Sequence, residues 1–220
     1  MIKAVLFDFD ETLQDRTAAF EKYMDTFAAD FFPDIDKTEL EKRKEDMRVT
    51  GNGGYVNREE WYQQLIDMWH WENAPSKTEL ANHYDTKFGD HNVIFPNSFK
   101  LLKELKNRGY IVGVITNGPS YLQNRKMDTS GLRPYCDIVV VSGDVGVHKP
   151  DPALFVYTAD KLGLKTSECV YVGDHPVNDI QGALAAGMKA IRMNFGWFKD
   201  RDLRDDVPII DDIIDVLKYV

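Results

Sequence analysis

Cysteine is nearly absent: Cys136 and Cys169 are the only two in 220 residues. They are too few for a disulfide framework and lack the close spacing of a metal or redox pair, so a reducing cytoplasm is the simplest expected compartment. No apolar run approaches the roughly 18 residues of a membrane span. The opening stretch Ala4-Val5-Leu6-Phe7 is stopped by Asp8 and Asp10, which also argues against a signal-peptide core. No membrane partner is expected. Basic charge is in deficit as well, with 27 Lys and Arg against 36 Asp and Glu and a formal charge of −9. Phosphate backbones are held by an excess of Lys and Arg, so a nucleic-acid polymer is not expected either, and any anionic ligand requires positive charge supplied locally. Neither a Gly-x-x-x-x-Gly-Lys-Ser/Thr loop nor a Gly-x-Gly-x-x-Gly turn after the first strand is present, which sets aside ATP-driven transfer and dinucleotide redox chemistry. Internal repeats and long Gly/Ser linkers are also missing.

What is present is the composition of a folded chain, 43% hydrophobic and 29% charged. The length suits one domain, or a core with a modest insertion. Four short β-branched runs are apolar on both faces and read as buried strands: Lys3 to Phe9, Ile111 to Thr116, Asp137 to Ser142 and Cys169 to Gly173. Lys189 to Met193 is a fifth. Between them, Phe99, Leu102 and Leu105, then Val177, Ile180, Leu184 and Met188, recur at helical spacing, and Ile210, Ile213, Ile214 and Leu217 predict a final helix. Strands alternating with such helices imply right-handed crossovers and a doubly wound α/β fold with a parallel sheet.

Residues 15–95 break this alternation. They hold helical patterns such as Trp61, Leu65, Met68 and Trp69 but no convincing strand, and they are too many for a structureless loop. The expectation is a helical cap at 15–95 inserted into a core formed by 1–14 and 96–220. Gly51-Asn52-Gly53-Gly54 separates two of its helices.

Ligands of open parallel sheets sit at the carboxyl ends of the strands. Here those ends carry Asp8-Phe9-Asp10-Glu11-Thr12, Thr116-Asn117-Gly118, His148-Lys149-Pro150 and Gly173-Asp174, with Asp179 shortly after. At least three carboxylates then meet one ammonium, and like charges so close persist only with a cation or raised pKa values. Oxygen ligands of this kind suit Mg²⁺, often completed by a substrate phosphate. The physical reading is metal-assisted phosphoryl chemistry.

With these residues the sequence resembles the haloacid-dehalogenase-like hydrolase superfamily, in its phosphatase-type members with a helical cap after the first motif. All four motifs occur in order: Asp8-x-Asp10-x-Thr12, Thr116, Lys149-Pro150, and Gly173-Asp174 followed by Asp179. The resemblance implies hydrolysis of a small phosphomonoester, of the sugar phosphate or nucleotide class, through an aspartyl-phosphate on Asp8. It implies Asp10 as the acid that protonates the leaving oxygen and the base that activates water, with its backbone carbonyl on Mg²⁺. It further implies Thr116 and the backbone N–H of Asn117 on the transferring phosphoryl group, Lys149 balancing charge, Asp174 on the metal, and Asp179 in contact with the metal's water or Lys149. Dehalogenating members lack the second Asp, so Asp10 favours phosphate esters. Glu11 departs from the glycine common at its position.

Each residue also has a structural explanation. Asp8, Asp10 and Thr116 suit turns, but Asp151-Pro152 reads independently as a helix cap and places Lys149 at a strand end. His175 is expected to line the site or hydrogen-bond, since Mg²⁺ prefers oxygen. Trp61, Trp69 and Trp71 are expected in the core of the cap. Arg16, Tyr23 and Asn57 are candidate substrate contacts by position alone. A phosphomutase with the same nucleophile and a phospho-acceptor switch domain are the alternatives. Oligomeric state is not encoded in these patterns.

Overall fold

The computed structural model describes residues 1–220. The chain divides into two compact units, one formed by Met1–Arg16 and Asn92–Val220, the other by Thr17–His91. No helix is long and apolar enough to cross a membrane.

The first unit is built on six parallel strands: β1 Ala4–Phe7, β2 Ile111–Thr116, β3 Ile138–Val141, β4 Cys169–Gly173, β5 Lys189–Met193 and β6 Ile209–Ile210, in the spatial order β3-β2-β1-β4-β5-β6. The chain moves outward from β1 to β3, then returns to place β4 on the other side of β1. That reversal opens a crevice at the carboxyl ends of β1, β2 and β4. Period-two alternation sends Val5 and Phe7 to one core cluster and Ala4 and Leu6 to another. Both faces of the sheet are covered, as a doubly wound α/β fold requires.

Nine α-helices accompany the strands: α1 Arg16–Phe31, α2 Lys37–Thr50, α3 Arg58–Met68, α4 Lys77–Lys87, α5 Ser98–Asn107, α6 Ser120–Thr129, α7 Ser142–Val145, α8 Pro152–Lys161 and α9 Gly182–Ala185. Leu101, Leu102 and Leu105 of α5 fill the cluster that holds Val5, while Leu154, Phe155 and Ala159 of α8 fill the other. Asp151 caps α8 as the sequence suggests, its Oδ1 accepting from the Ala153 N–H at 2.9 Å.

Two expected helices differ. The one read from Val177 to Met188 is a π-helical turn, Pro176–Gln181, running into the short α9, because the His175 ring Nδ1 accepts the Val177 and Asn178 N–H groups at 3.1 Å and caps the turn. The final helix is replaced by β6 and a 3₁₀ turn at Ile213–Lys218. There only Ile213 and Val216 are buried, three residues apart, the spacing at which 3₁₀ side chains eclipse.

The helical unit is held by aromatic rings. Tyr23 and Phe27 of α1, Trp61 and Tyr62 of α3 and Tyr84 of α4 are all buried. Trp61 Nε1 donates to Thr50 Oγ1 at 2.8 Å and Trp69 Nε1 to Asp46 Oδ2 at 2.9 Å, while the Trp71 ring lies 4.4 Å from Phe32. All three tryptophans are thus part of the unit's own packing. The positional expectation for Tyr23 is corrected: its side chain is fully buried, and its hydroxyl bonds Tyr62 Oη at 2.7 Å and His83 Nδ1 at 3.1 Å. Asn57 caps α3 by accepting the Glu60 N–H. The glycine-rich turn separates α2 from α3.

A buried hydroxyl left without its partner costs about 1–3 kcal/mol. Tyr23→Phe, which strands the Tyr62 hydroxyl, is therefore expected to lower stability by about that amount in urea unfolding.

Candidate active site

The carboxyl end of β1 turns at Asp8, whose N–H donates to Val172 O of β4 at 2.8 Å and so ties the residue to the neighbouring strand. Asp174 follows β4, and Asp179 sits on the π-helical turn. Oxygens of Asp8, Asp174 and Asp179 all lie within 4.8 Å of one another, and all three residues are buried. Lys149 joins them from the loop before α8: its Nζ donates to Asp8 Oδ1 at 2.7 Å, Asp179 Oδ1 at 2.7 Å and Tyr171 Oη at 2.9 Å. Gly173 makes the approach of Asp179 feasible, since a Cβ there would lie 2.5 Å from the Asp179 carboxyl. The other Asp179 oxygen accepts the His175 N–H at 2.9 Å.

Burial raises the Asp8 carboxyl to about 7, with Asp179 adding to the rise and Lys149 opposing it. Asp174 is pushed well above the carboxylate range by burial, then by Asp179, Asp8 and Glu11. Burial works against the charge of Lys149, but Asp179 and Asp8 outweigh it and hold the ammonium more firmly than in water. The group is short of positive charge. An all-oxygen donor set in which burial and mutual repulsion raise Asp8 and Asp174 fits a hard divalent cation, and Asp8, Asp174 and Asp179 are the side chains that would hold it.

Asp10 stands apart from this triad. Lys126 Nζ donates to both of its oxygens, at 2.6 and 2.5 Å, and Gln14 Nε2 and Gln123 Nε2 add bonds at 2.5 and 3.2 Å. Gln123 also reaches Thr116 Oγ1 at 2.5 Å and accepts from Lys126 at 2.9 Å. Burial alone would raise Asp10, but Lys126 and Arg16 outweigh it and keep the carboxyl below its usual range. Arg16, a positional candidate in the sequence, thus adds positive charge near Asp10. The Lys126 ammonium is lowered, burial exceeding the attraction of Asp10.

Thr116 ends β2 and is buried; Asn117 beside it forms a two-way amide bridge, Nδ2 donating to Lys149 O and Oδ1 accepting from Lys149 N–H, both at 2.9 Å. His175 caps its turn and packs on Phe198 with ring centroids 4.2 Å apart. Glu11 adopts φ 57°, the left-handed conformation in which glycine is usual.

Sequence reasoning missed Gln14, Gln123, Lys126 and Tyr171. The signal for two of them lay in α6, where Leu122, Gln123, Lys126 and Met127 form the buried stripe. A lysine and a glutamine on an apolar helix face call for a partner.

The model of the haloacid dehalogenase-like hydrolases matches residues 5–193. A glyceraldehyde 3-phosphate phosphatase of Methanopyrus kandleri is 33% identical over 215 residues, 94% of this chain and 91% of that protein. A phosphoserine phosphatase of Thermus thermophilus is 36% identical over 115 residues, covering 52% of this chain and 44% of that protein. A HAD-hydrolase from Bacillus subtilis bound to magnesium superposes with a TM-score of 0.81 at 21% identity, over 99% of this chain and 98% of that one.

The raised Asp8 value fixes a sign. A carboxyl held up in the fold contributes stability that is present below its unfolded pKa of 3.8 and lost as pH rises through about 7. A divalent cation favours the ionised form. The increase in Tm caused by saturating Mg²⁺ over a chelated control is therefore expected to be larger at pH 8 than at pH 6, by thermal unfolding; an increase that shrinks with pH would contradict the assignment.

Proposed function

The chain belongs to the haloacid dehalogenase-like hydrolase family, and from that premise we propose that it is a Mg²⁺-dependent phosphatase of small phosphomonoesters, acting through an aspartyl-phosphate on Asp8. The observation that carries the reading is Lys149 Nζ at 2.7 Å from both Asp8 and Asp179, beside a third buried carboxylate, Asp174.

In this reading the Asp8 oxygen attacks phosphorus, the bond to the substrate oxygen breaks, and Asp10, ionised in the free site, takes the proton carried in by the phosphomonoester monoanion and passes it to that oxygen. A water then attacks the acyl phosphate, Asp10 takes its proton, and Asp8 and inorganic phosphate are released. Thr116 Oγ1 and the Asn117 N–H hydrogen-bond the phosphoryl oxygens, and Lys149 balances charge on Asp8 and the phosphoryl group; such preorganised charge is commonly the largest catalytic contribution. Asp8, Asp174, Asp179 and the Asp10 carbonyl would hold Mg²⁺, which would supply the positive charge that the cluster lacks. Displacement of a halide needs no acid, so the elaborate seating of Asp10 supports a phosphate ester as substrate.

The relatives named above act, by their names, on glyceraldehyde 3-phosphate and phosphoserine. Both are small acyclic phosphomonoesters, and this is the substrate class we assign. Residues 15–95 are proposed as the cap that sets substrate choice.

Phosphate release from a panel of phosphorylated metabolites with Mg²⁺, including these two, tests the reading. Asp8→Asn is expected to lower kcat by about a thousand-fold or more. Undiminished turnover in that variant would overturn the covalent route.

A further inference from the structure

Lys126 is almost fully buried on α6, at 2% exposure, on a helix face whose other members include Leu122 and Met127. An apolar residue of similar length would serve the packing there with no charge to desolvate. Burying an ammonium costs several kcal/mol before its partner is counted, and apolar replacement of a whole buried ion pair is often neutral or stabilising. A lysine at this position therefore calls for an explanation other than stability.

Its contacts supply one. Nζ reaches both Asp10 oxygens and Gln123 Oε1, Gln123 Nε2 bonds Thr116 Oγ1 and Asp10 Oδ2, and Gln14 Nε2 bonds Asp10 Oδ1. A carboxylate gripped at both oxygens by one cation, with an amide on each side, has lost its freedom to rotate. Charge-assisted bonds of this kind add directional specificity as well as energy.

We propose that Lys126 is a positioning residue for proton transfer: it holds the Asp10 carboxylate in the one orientation from which it serves the leaving group and the water, with Gln14 and Gln123 completing the seat. The proposal rests on the phosphatase reading and the acid/base role of Asp10 within it. Misplacing a catalytic group by about an ångström can cost on the order of a hundred-fold in rate. The loss falls on chemistry that needs a proton, and substrate binding through Lys149 and Thr116 is largely kept.

The test compares Lys126→Met with the native protein on two substrates: the best alkyl phosphate from the panel, and p-nitrophenyl phosphate, whose phenolate departs without a proton. With the alkyl ester, kcat is expected to fall about a hundred-fold or more with little change in KM. The transient burst of p-nitrophenolate, which reports attack by Asp8 alone, is expected to fall much less. In an Asp10→Asn background, Lys126→Met is expected to add almost no further loss, because it acts only through Asp10. The double variant should also melt above Lys126→Met, since no unpaired carboxylate remains. Where Lys126→Met does not fold, Lys126→Gln, which keeps a donor and removes the charge, takes its place. Equal losses on both substrates, or additive losses with Asp10→Asn, would overturn the proposal and make Lys126 structural. Absence of phosphate release by the native protein across the panel would instead count against the phosphatase reading.

Discussion

Charge balance in a confined space is the constraint on which this molecule turns. Asp8, Asp10, Asp174 and Asp179 are carboxylates at one sheet edge, and Lys126 and Lys149 are the lysine ammonium groups buried among them. The formal remainder is two negative charges, which one divalent cation would balance. The distribution matters as much as the sum. Lys126 is committed to Asp10, while Lys149 is shared between Asp8 and Asp179, so the shortage is concentrated at Asp8 and Asp174, where burial and repulsion raise both carboxyls. One carboxylate is kept ionised beside a pair that favour protons when no cation is present. Separated protonation preferences among close carboxylates are how one site supplies different chemical roles.

The fold produces this arrangement through connectivity. Since β1 lies between β2 and β4, the residues that end these strands are neighbours whatever the length of chain between them. The helical unit of Thr17–His91 is an excursion from the β1 end, and its aromatic core is closed within itself, with Tyr23, Tyr62 and His83 bonding one another. The sheet can thus be read as the chemical half of the molecule and the excursion as the half free to vary.

Legibility in the sequence followed the same division. Strands β1 to β5 were visible because strands buried on both faces read as unbroken apolar runs, and the polar residues that stop those runs were the site residues themselves. Asp8 and Asp174 therefore carried their own signal, while Lys149 was placed by the Asp151-Pro152 helix cap that follows it. Strand β6 did not, because two residues have no periodicity and Ile210 fitted a helical pattern equally well. The π-helical turn at Pro176–Gln181 was hidden because its cause, the His175 ring capping Val177 and Asn178, is a side-chain bond that spacing does not reveal. Lys126 was overlooked for a related reason. A lysine in a helix reads as a solvated residue unless the neighbouring pattern shows its face to be buried, and Asp10, its partner, is 116 positions away.

The amide bridge between Asn117 and Lys149 has a consequence for how such a site tolerates change. Two hydrogen bonds join the end of β2 to the lysine loop across 32 residues of chain. Everything between them, including α6, β3 and α7, is bypassed by this tie. Lengthening a connection costs little in closure entropy when its ends are already fixed. The short stretch between α7 and Lys149 is thus a place where evolution or an engineer could insert residues while the phosphoryl-binding end of β2 and the charge-balancing lysine keep step with each other.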